Sequence, residues 1–397
     1  MATITKRRWK TGKGEEREAW VLAYTDQTGT RHKEQHAKKR DAEARRIEVE
    51  GQVKSGTYRP DAAITTVKDA CDAYVKYMKA RKRRGERVTE HYYKNLEGQL
   101  YNYVAPQPDR AINFDGGIGD LKLAQLTAGT VNAFRDRLRD AGVGVVTTRR
   151  ILGSLSRVLR YAQDSDLIAI NPAKGIQVIG RRDEGSKKIV PPSKADLALL
   201  LSVAEADTAL KIRFAAATGL RASEQWALTW QHIDLKDGRL IINSRVDVYG
   251  NVDVTKSESG TREVPIAKSI ATELAQWKLR TKFSRESDLI FPNEKGKFVD
   301  HHNFINRPFK RAKDKAAEKA REGNTTFKPF GWHALRHFAI STWIEAGLQP
   351  KTIQTFAGHS TLAVTMSRYG HLFASDDHAA AMDKIADAIF TTPNNGA

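Results

Sequence analysis

The sequence predicts a multidomain fold, mainly α-helical with small β-sheets, laid out in three successive parts. Three observations carry this. The chain has 397 residues, enough for two or three domains of ordinary size. Its hydrophobic content of 40% supports real cores and excludes wholesale disorder. Its patterning also changes twice, near residues 60 and 185: short β-like runs give way to apolar steps of three and four residues, and these to a mixture of helix and strand.

The first part, residues 1–60, reads as a small sheet followed by a helix. Ala19-Trp20-Val21-Leu22-Ala23-Tyr24 is strand-like, Thr25-Asp26-Gln27-Thr28-Gly29 is its turn, and Thr30 to Gln35 is the partner strand. From Lys38 to Val53 the pattern is helical, and Gly56 and Pro60 end it.

The second part, residues 61–185, is helical. Val67, Cys71, Tyr74, Val75 and Met78 fall on one face of a first helix. Arg81-Lys82-Arg83-Arg84 then projects a positive block, either a solvated face or a contact for phosphates. Further helices fit 89–103, 127–141 and 145–165, with Thr127 as a cap and Gly142 and Gly144 as a separator. Asn171-Pro172 stops the pattern, and residues 180–188 are polar, charged and Gly-flanked, like a linker.

The third part, residues 186–397, mixes helix and strand. Ser193 reads as an N-cap for a helix over 195–204. Leu240-Ile241-Ile242, Val252-Asp253-Val254 and Arg262 to Ile266 are strand-like, divided by turns at 249–251 and 257–260, which predicts one small antiparallel sheet inserted among helices.

Charge narrows the partner. Lys and Arg number 66 against 47 Asp and Glu, a net charge of +19, which favours a polyanion such as nucleic acid. The single cysteine, Cys71, can form neither an internal disulfide nor a thiolate metal cage. No apolar run approaches the roughly 18 residues of a membrane span, and the N-terminus lacks the apolar stretch of a secretion signal, so the expectation is a soluble intracellular protein. No phosphate-binding glycine loop occurs, and the adjacent His301 and His302 diverge. Neither a nucleotide cofactor nor a metal is therefore expected.

What stands out is a set of cationic donors with one tyrosine. Arg221 follows a Thr-Gly turn in Ala216-Ala217-Thr218-Gly219-Leu220-Arg221-Ala222-Ser223-Glu224, with Glu224 one turn on to orient it. His333 and Arg336 share a helical face in His333-Ala334-Leu335-Arg336-His337. Gly358-His359-Ser360 and Tyr369 follow. Singly, each reads as a surface charge or a core residue. In this order, with Leu228-Thr229-Trp230 and Ile233-Asp234-Leu235 between them, they resemble the tyrosine recombinases of the phage integrase family. The resemblance is tight over the third part and extends to the first two only in layout.

That resemblance implies an arm-type DNA-binding domain at 1–60, a helical core-binding (SAM-like) domain with linker at 61–185, and a mixed α/β catalytic domain with a C-terminal tail at 186–397. It implies site-specific cutting and rejoining of double-stranded DNA attachment sites through a 3′-phosphotyrosine and a Holliday junction. Such an enzyme integrates and excises a mobile element; a resolvase or transposon recombinase has the same chemistry. Tyr369 would be the nucleophile, Arg221 and Arg336 would hold the non-bridging phosphate oxygens, and His359 would donate to the same phosphate. His333 would assist proton transfer with Tyr369, whose phenol the cationic surroundings would acidify. Lys256, on a hairpin after the first arginine, would be the general acid, with Lys268 the poorer competitor. A homotetramer on DNA, accessory DNA-bending or excision-directing proteins, and a cytoplasmic, nucleoid-associated location follow from the same resemblance. The apolar stripe Ala379, Ala380, Met382, Ile385, Ala388 and Ile389 would dock on a neighbouring protomer or on its own domain.

Overall fold

In the computed structural model, residues 2–10, 12, 15–180, 190–254, 261–373 and 382 are described. The chain divides into two units, Met1–Ser186 and Lys187–Ala397. Lys256 lies outside the described residues, as does the apolar tail stripe apart from Met382.

The first unit opens with an antiparallel sheet of β1 (Thr3–Lys10), β2 (Glu16–Thr25) and β3 (Arg31–His36), with β2 central. Lys6, Arg7, Arg8 and Lys10 hide β1 from a search for apolar alternation, because most of that edge strand is exposed. The β2–β3 turn is closed by Asp26, whose carboxylate accepts from the Thr28 and Thr30 amides at 2.8 and 2.9 Å. Helix α1 (Lys39–Lys54) covers the sheet, and Leu22, Tyr24, Val49 and Tyr58 form a small core beneath it.

The larger core of this unit is built by α2 (Val67–Arg83), α3 (Glu90–Gln99), α4 (Ala128–Asp140) and α5 (Val145–Asp164). All five residues of the predicted apolar face of α2 are buried. Thr66 and Asp69 cap α2 reciprocally, and the Thr127 hydroxyl accepts from the Thr130 amide to start α4. Helix α3 ends at Gln99 and passes into a wider turn at Leu100–Val104. Burial pushes the Cys71 thiol pKa up, so this cysteine is a packing residue.

The second unit begins with α6 (Lys194–Val203), which the Ser193 hydroxyl and the Asp196 carboxylate cap. Helix α7 (Ala206–Thr218) leads into the short α8 (Ala222–Gln225). The strands then form two separate sheets where the sequence suggests one. β4 (Ile233–Asp234), β5 (Arg239–Ile242) and β8 (Arg262–Pro265) pair in the order β4-β5-β8, while β6 (Ser244–Val246) and β7 (Val252–Val254) form a hairpin of their own. The reason is local: Asp247 accepts from the Tyr249 and Asn251 amides, and Gly250 at φ +82° turns the chain back at once. Helices α9 (Lys268–Arg280), α10 (His301–Phe304), α11 (Lys310–Glu322), α12 (His333–Glu345), α13 (Pro350–Ala357) and α14 (Leu362–Tyr369) complete the unit. Helix α12 packs on α7, α11 on α6, and α14 on α13.

Leu155 is fully buried in the four-helix core. Leu155→Ala should cost about 3 kcal/mol by leaving a cavity there. Urea unfolding checks this, and an unchanged midpoint would contradict the packing described.

Candidate active site

Two left-handed glycine turns frame the site. Gly219, at φ +62°, ends α7, and a Cβ there would stand 2.9 Å from the Trp343 ring. Gly358, also at φ +62°, ends α13, and a Cβ there would meet the Arg262 guanidinium at 2.8 Å. Only glycine meets both demands, backbone and space, at these two corners.

Three arginines converge on the C-terminal carbonyls of α13. Arg262 Nε donates to the Phe356 carbonyl at 2.9 Å, Arg336 Nη2 to that of Ala357, and Arg221 Nη2 to that of Gly358 at 2.9 Å. Arg336 Nη1 also reaches the Gly219 carbonyl at 2.8 Å, tying the two turns together. The negative end of the helix dipole and its unpaired carbonyls thus receive the cations. Glu224 supplies a full negative charge to two of them. It accepts from Arg221 Nη1 at 2.8 Å and from Arg262 Nη2 at 2.8 Å, with Arg262 and Glu224 both almost fully buried.

His359 lies just past Gly358 and is buried. Its Nδ1 meets the Thr365 hydroxyl at 2.9 Å, while its Nε2 is buried without a partner. With the Thr365 hydroxyl donating, Nε2 is the N–H, a donor without an acceptor among the described residues. Tyr369 closes the site from α14, with 1% of its surface exposed and its ring stacked on His359 at 6.3 Å. The Tyr369 hydroxyl is hydrogen-bonded to His337 Nδ1. His333 packs edge-on against His337, ring centroids 4.7 Å apart.

Of the residues singled out in the sequence, Arg221, His333, Arg336, His359 and Tyr369 therefore come together. Lys268 does not join them; it starts α9, exposed, beyond β8. His301 and His302 are structural, accepting from Trp226 and pairing with Asn306. Among the described residues no group of three or more His, Cys, Asp or Glu is placed to hold a metal ion.

Residues 194–376 match the phage integrase family. The chain is 22% identical over 303 residues to a XerC-like tyrosine recombinase of Caldanaerobacter subterraneus subsp. tengcongensis, covering 70% of this chain and 73% of that one. It is 24% identical over 283 residues to the ICEBs1 integrase of Bacillus subtilis, covering 67% and 72%. Residues 194–376 thus carry a domain of the phage integrase family, and the chain is similar to tyrosine recombinases. The fold of this chain is similar to that of the Tn1549 transposon integrase, solved in complex with transposon right end DNA, at a TM-score of 0.64 and 20% identity, covering 81% of this chain and all of that one.

One expectation for Tyr369 is corrected by its burial. The phenol of Tyr369 is not acidified: burial raises its pKa and outweighs the opposing pull of Arg336 and Arg368. Its hydroxyl is hydrogen-bonded to His337, one helical turn beyond His333 on α12, and the His333 ring packs against that of His337. The other shifts follow from crowded cations in a dry site. Burial, then Arg336 and Arg221, lower His359 to about 4, so its imidazole is neutral. Partial desolvation, then Arg336 and Arg221, lower His333 as well. Burial and the Arg221 charge bring Arg336 down to about 9, and it stays cationic at neutral pH.

Sequence reasoning missed Arg262 and His337. Arg262 alternates with Val264 and Ile266 on the buried face of β8, and an arginine in register with core residues is a readable signal. His337 sits four residues after His333, on the same helical face.

Glu224 tests the charge balance of this site. Burial alone would raise its carboxyl, but Arg262 and Arg221 dominate and hold it at about 2. A carboxyl depressed in the fold contributes stability above its ordinary pKa, and that contribution is lost as pH falls from 4.5 toward about 2. Glu224→Gln should cost about 3 kcal/mol at pH 7 by stranding buried arginines, and should lose less further stability over that acid window. Urea unfolding at several pH values decides; parallel pH curves for the two proteins would contradict the pairing.

Proposed function

We propose that this recombinase integrates and excises a mobile genetic element by cutting and rejoining double-stranded DNA attachment sites through a 3′-phosphotyrosine at Tyr369. The observation that carries the reading is the donor set beside that phenol: Arg221 and Arg336 with the orphaned Nε2 of His359, a cluster suited to the oxygens of one phosphate. The guanidinium groups stay charged and donate in a planar fork, so they stabilise the pentacoordinate phosphorane where its charge develops. Tyr369 attacks phosphorus, and Lys256 protonates the departing 5′ oxygen. The tyrosyl ester conserves the free energy of the diester, so the 5′-hydroxyl of a second strand reverses the step without ATP. Exchange of two strands in each of two duplexes requires four active sites, hence a homotetramer around a Holliday junction, with accessory DNA-bending proteins as further partners.

The domain roles follow. Residues 1–60 act as the arm-type DNA-binding domain, 61–185 as the core-binding domain and linker, and 186–397 as the catalytic domain. The first of these favours an integrase over a resolvase. Lys6 on β1 and Lys39 at the start of α1 lie over the Trp20 ring at 5.7 Å, and Arg7 and Arg8 on β1 are exposed, so this domain carries basic side chains of its own. No helix among the described residues is long and apolar enough to cross a membrane, and the DNA substrate sets the place of action in the cytoplasm.

Two outcomes test the chemistry. With labelled duplexes tiled across the DNA flanking the gene, in EDTA, wild type should form a detergent-resistant adduct and Tyr369→Phe should bind the same duplex without one; an adduct in the variant would refute the nucleophile. Lys256→Ala should lose about 100-fold or more in cleavage rate, restored by a 5′-bridging phosphorothiolate whose leaving group needs no acid. Failure of that rescue would move the acid to another residue.

A further inference from the structure

Tyr369 poses a problem of proton accounting. Its hydroxyl must lose a proton as the oxygen attacks phosphorus, yet the residue is 1% exposed and its pKa is raised by burial. Bulk water does not reach the hydroxyl, so the acceptor has to lie inside the site. The groups around it are few. His359 stacks on the ring with its Nδ1 committed to Thr365. Arg336 and Arg368 are cations with no lone pair to offer. His333 meets the His337 ring rather than the phenol. Among the described residues, only His337 Nδ1 is hydrogen-bonded to the oxygen that reacts.

We infer that His337 is a catalytic residue of this recombinase, the general base whose Nδ1 takes the Tyr369 proton during attack and returns it during rejoining. This rests on the reading of Tyr369 as the nucleophile. In the forward step the Tyr369 oxygen–phosphorus bond forms and the bond from phosphorus to the 5′ oxygen breaks. The phenol proton moves to His337 Nδ1, and the 5′ oxygen takes a proton from Lys256. Rejoining runs each transfer backwards, so His337 ends neutral and ready for the next exchange.

The surroundings suit this role. Burial, then His333 and Arg336 on α12 and Arg368 on α14, bring the His337 pKa down to about 4. The imidazole is therefore neutral at working pH, and in the tautomer with its proton on Nε2 the Nδ1 lone pair accepts from the phenol. The negative charge of a bound phosphodiester beside those cations raises the basicity of His337 at the moment the proton must move. A base already hydrogen-bonded to its proton needs no rearrangement to act.

The test isolates deprotonation. Suicide duplexes with a 5′-bridging phosphorothiolate at the cleavage site remove the need for an acid, so single-turnover adduct formation reports nucleophile activation. Full-length wild type should give a rate nearly level from pH 6 to 9. His337→Asn keeps an acceptor near Nδ1 but takes no proton; it should fall by about 100- to 10,000-fold at pH 7 and then rise roughly tenfold per pH unit. Replacing Tyr369 in that variant with a more acidic fluorotyrosine should recover much of the loss, while the same change in wild type should matter little. A level profile or near-wild-type rate in His337→Asn would overturn the proposal and leave His337 a positioning residue. A missing fluorotyrosine rescue in a variant that still melts cooperatively and binds the duplex would overturn it as well. Tyr369→Phe run alongside separates the two readings: an adduct there refutes the nucleophile itself, whereas no adduct there with a level His337→Asn profile refutes only the base.

Discussion

The site depends on one arrangement: three guanidinium groups gathered on the last carbonyls of α13. Like charges this close repel one another, and burial adds a desolvation cost for each. The fold offsets both with the α13 carbonyls, the Gly219 carbonyl and the Glu224 carboxylate. The compensation is incomplete by design of the bonding. Glu224 is engaged mainly by Arg262, while Arg221 remains substantially exposed and Arg336 makes only neutral contacts. Positive potential is left over at the place where a phosphate would sit. Preorganised donors of this kind need no reorientation when charge develops, which is how they lower a barrier.

The same crowding governs the histidines and the tyrosine. His359, His333 and His337 are all held neutral by desolvation and neighbouring cations. Tyr369 is held protonated, since burial outweighs the cations near it. With Tyr369 as the proposed nucleophile, the unbound site is thus at rest: its phenol is neutral and its imidazoles are weak bases. A phosphodiester bound there would bring the missing negative charge. On that reading, activation and substrate binding become one electrostatic event.

Much of this was legible in the sequence, for identifiable reasons. The apolar spacing of Val67, Cys71, Tyr74, Val75 and Met78 reports a helix face directly, as does the capping pattern at Thr127. Arg221, His333, Arg336, His359 and Tyr369 were found because their residue types and order are unusual together. Strand β1 was hidden by charges on an exposed edge, and the split of the sheet by a tight turn at Asp247 whose closure depends on side-chain bonds. Arg262 was read only as a strand residue, although its buried-face register marks it. The direction of the Tyr369 shift was wrong because a sequence shows which cations are near but not how dry the site is. The hydrogen bond between His337 and the Tyr369 hydroxyl depends on tertiary packing, which no local pattern contains.

The most direct measurement is to find which atom of the protein carries the DNA. Wild-type adduct formed in EDTA, digested with nuclease and then with trypsin, gives a peptide bearing a residual nucleotide, and fragmentation by mass spectrometry places it. The account predicts the nucleotide on the Tyr369 oxygen, in the peptide that begins just after Arg368. A nucleotide on any other side chain would contradict it.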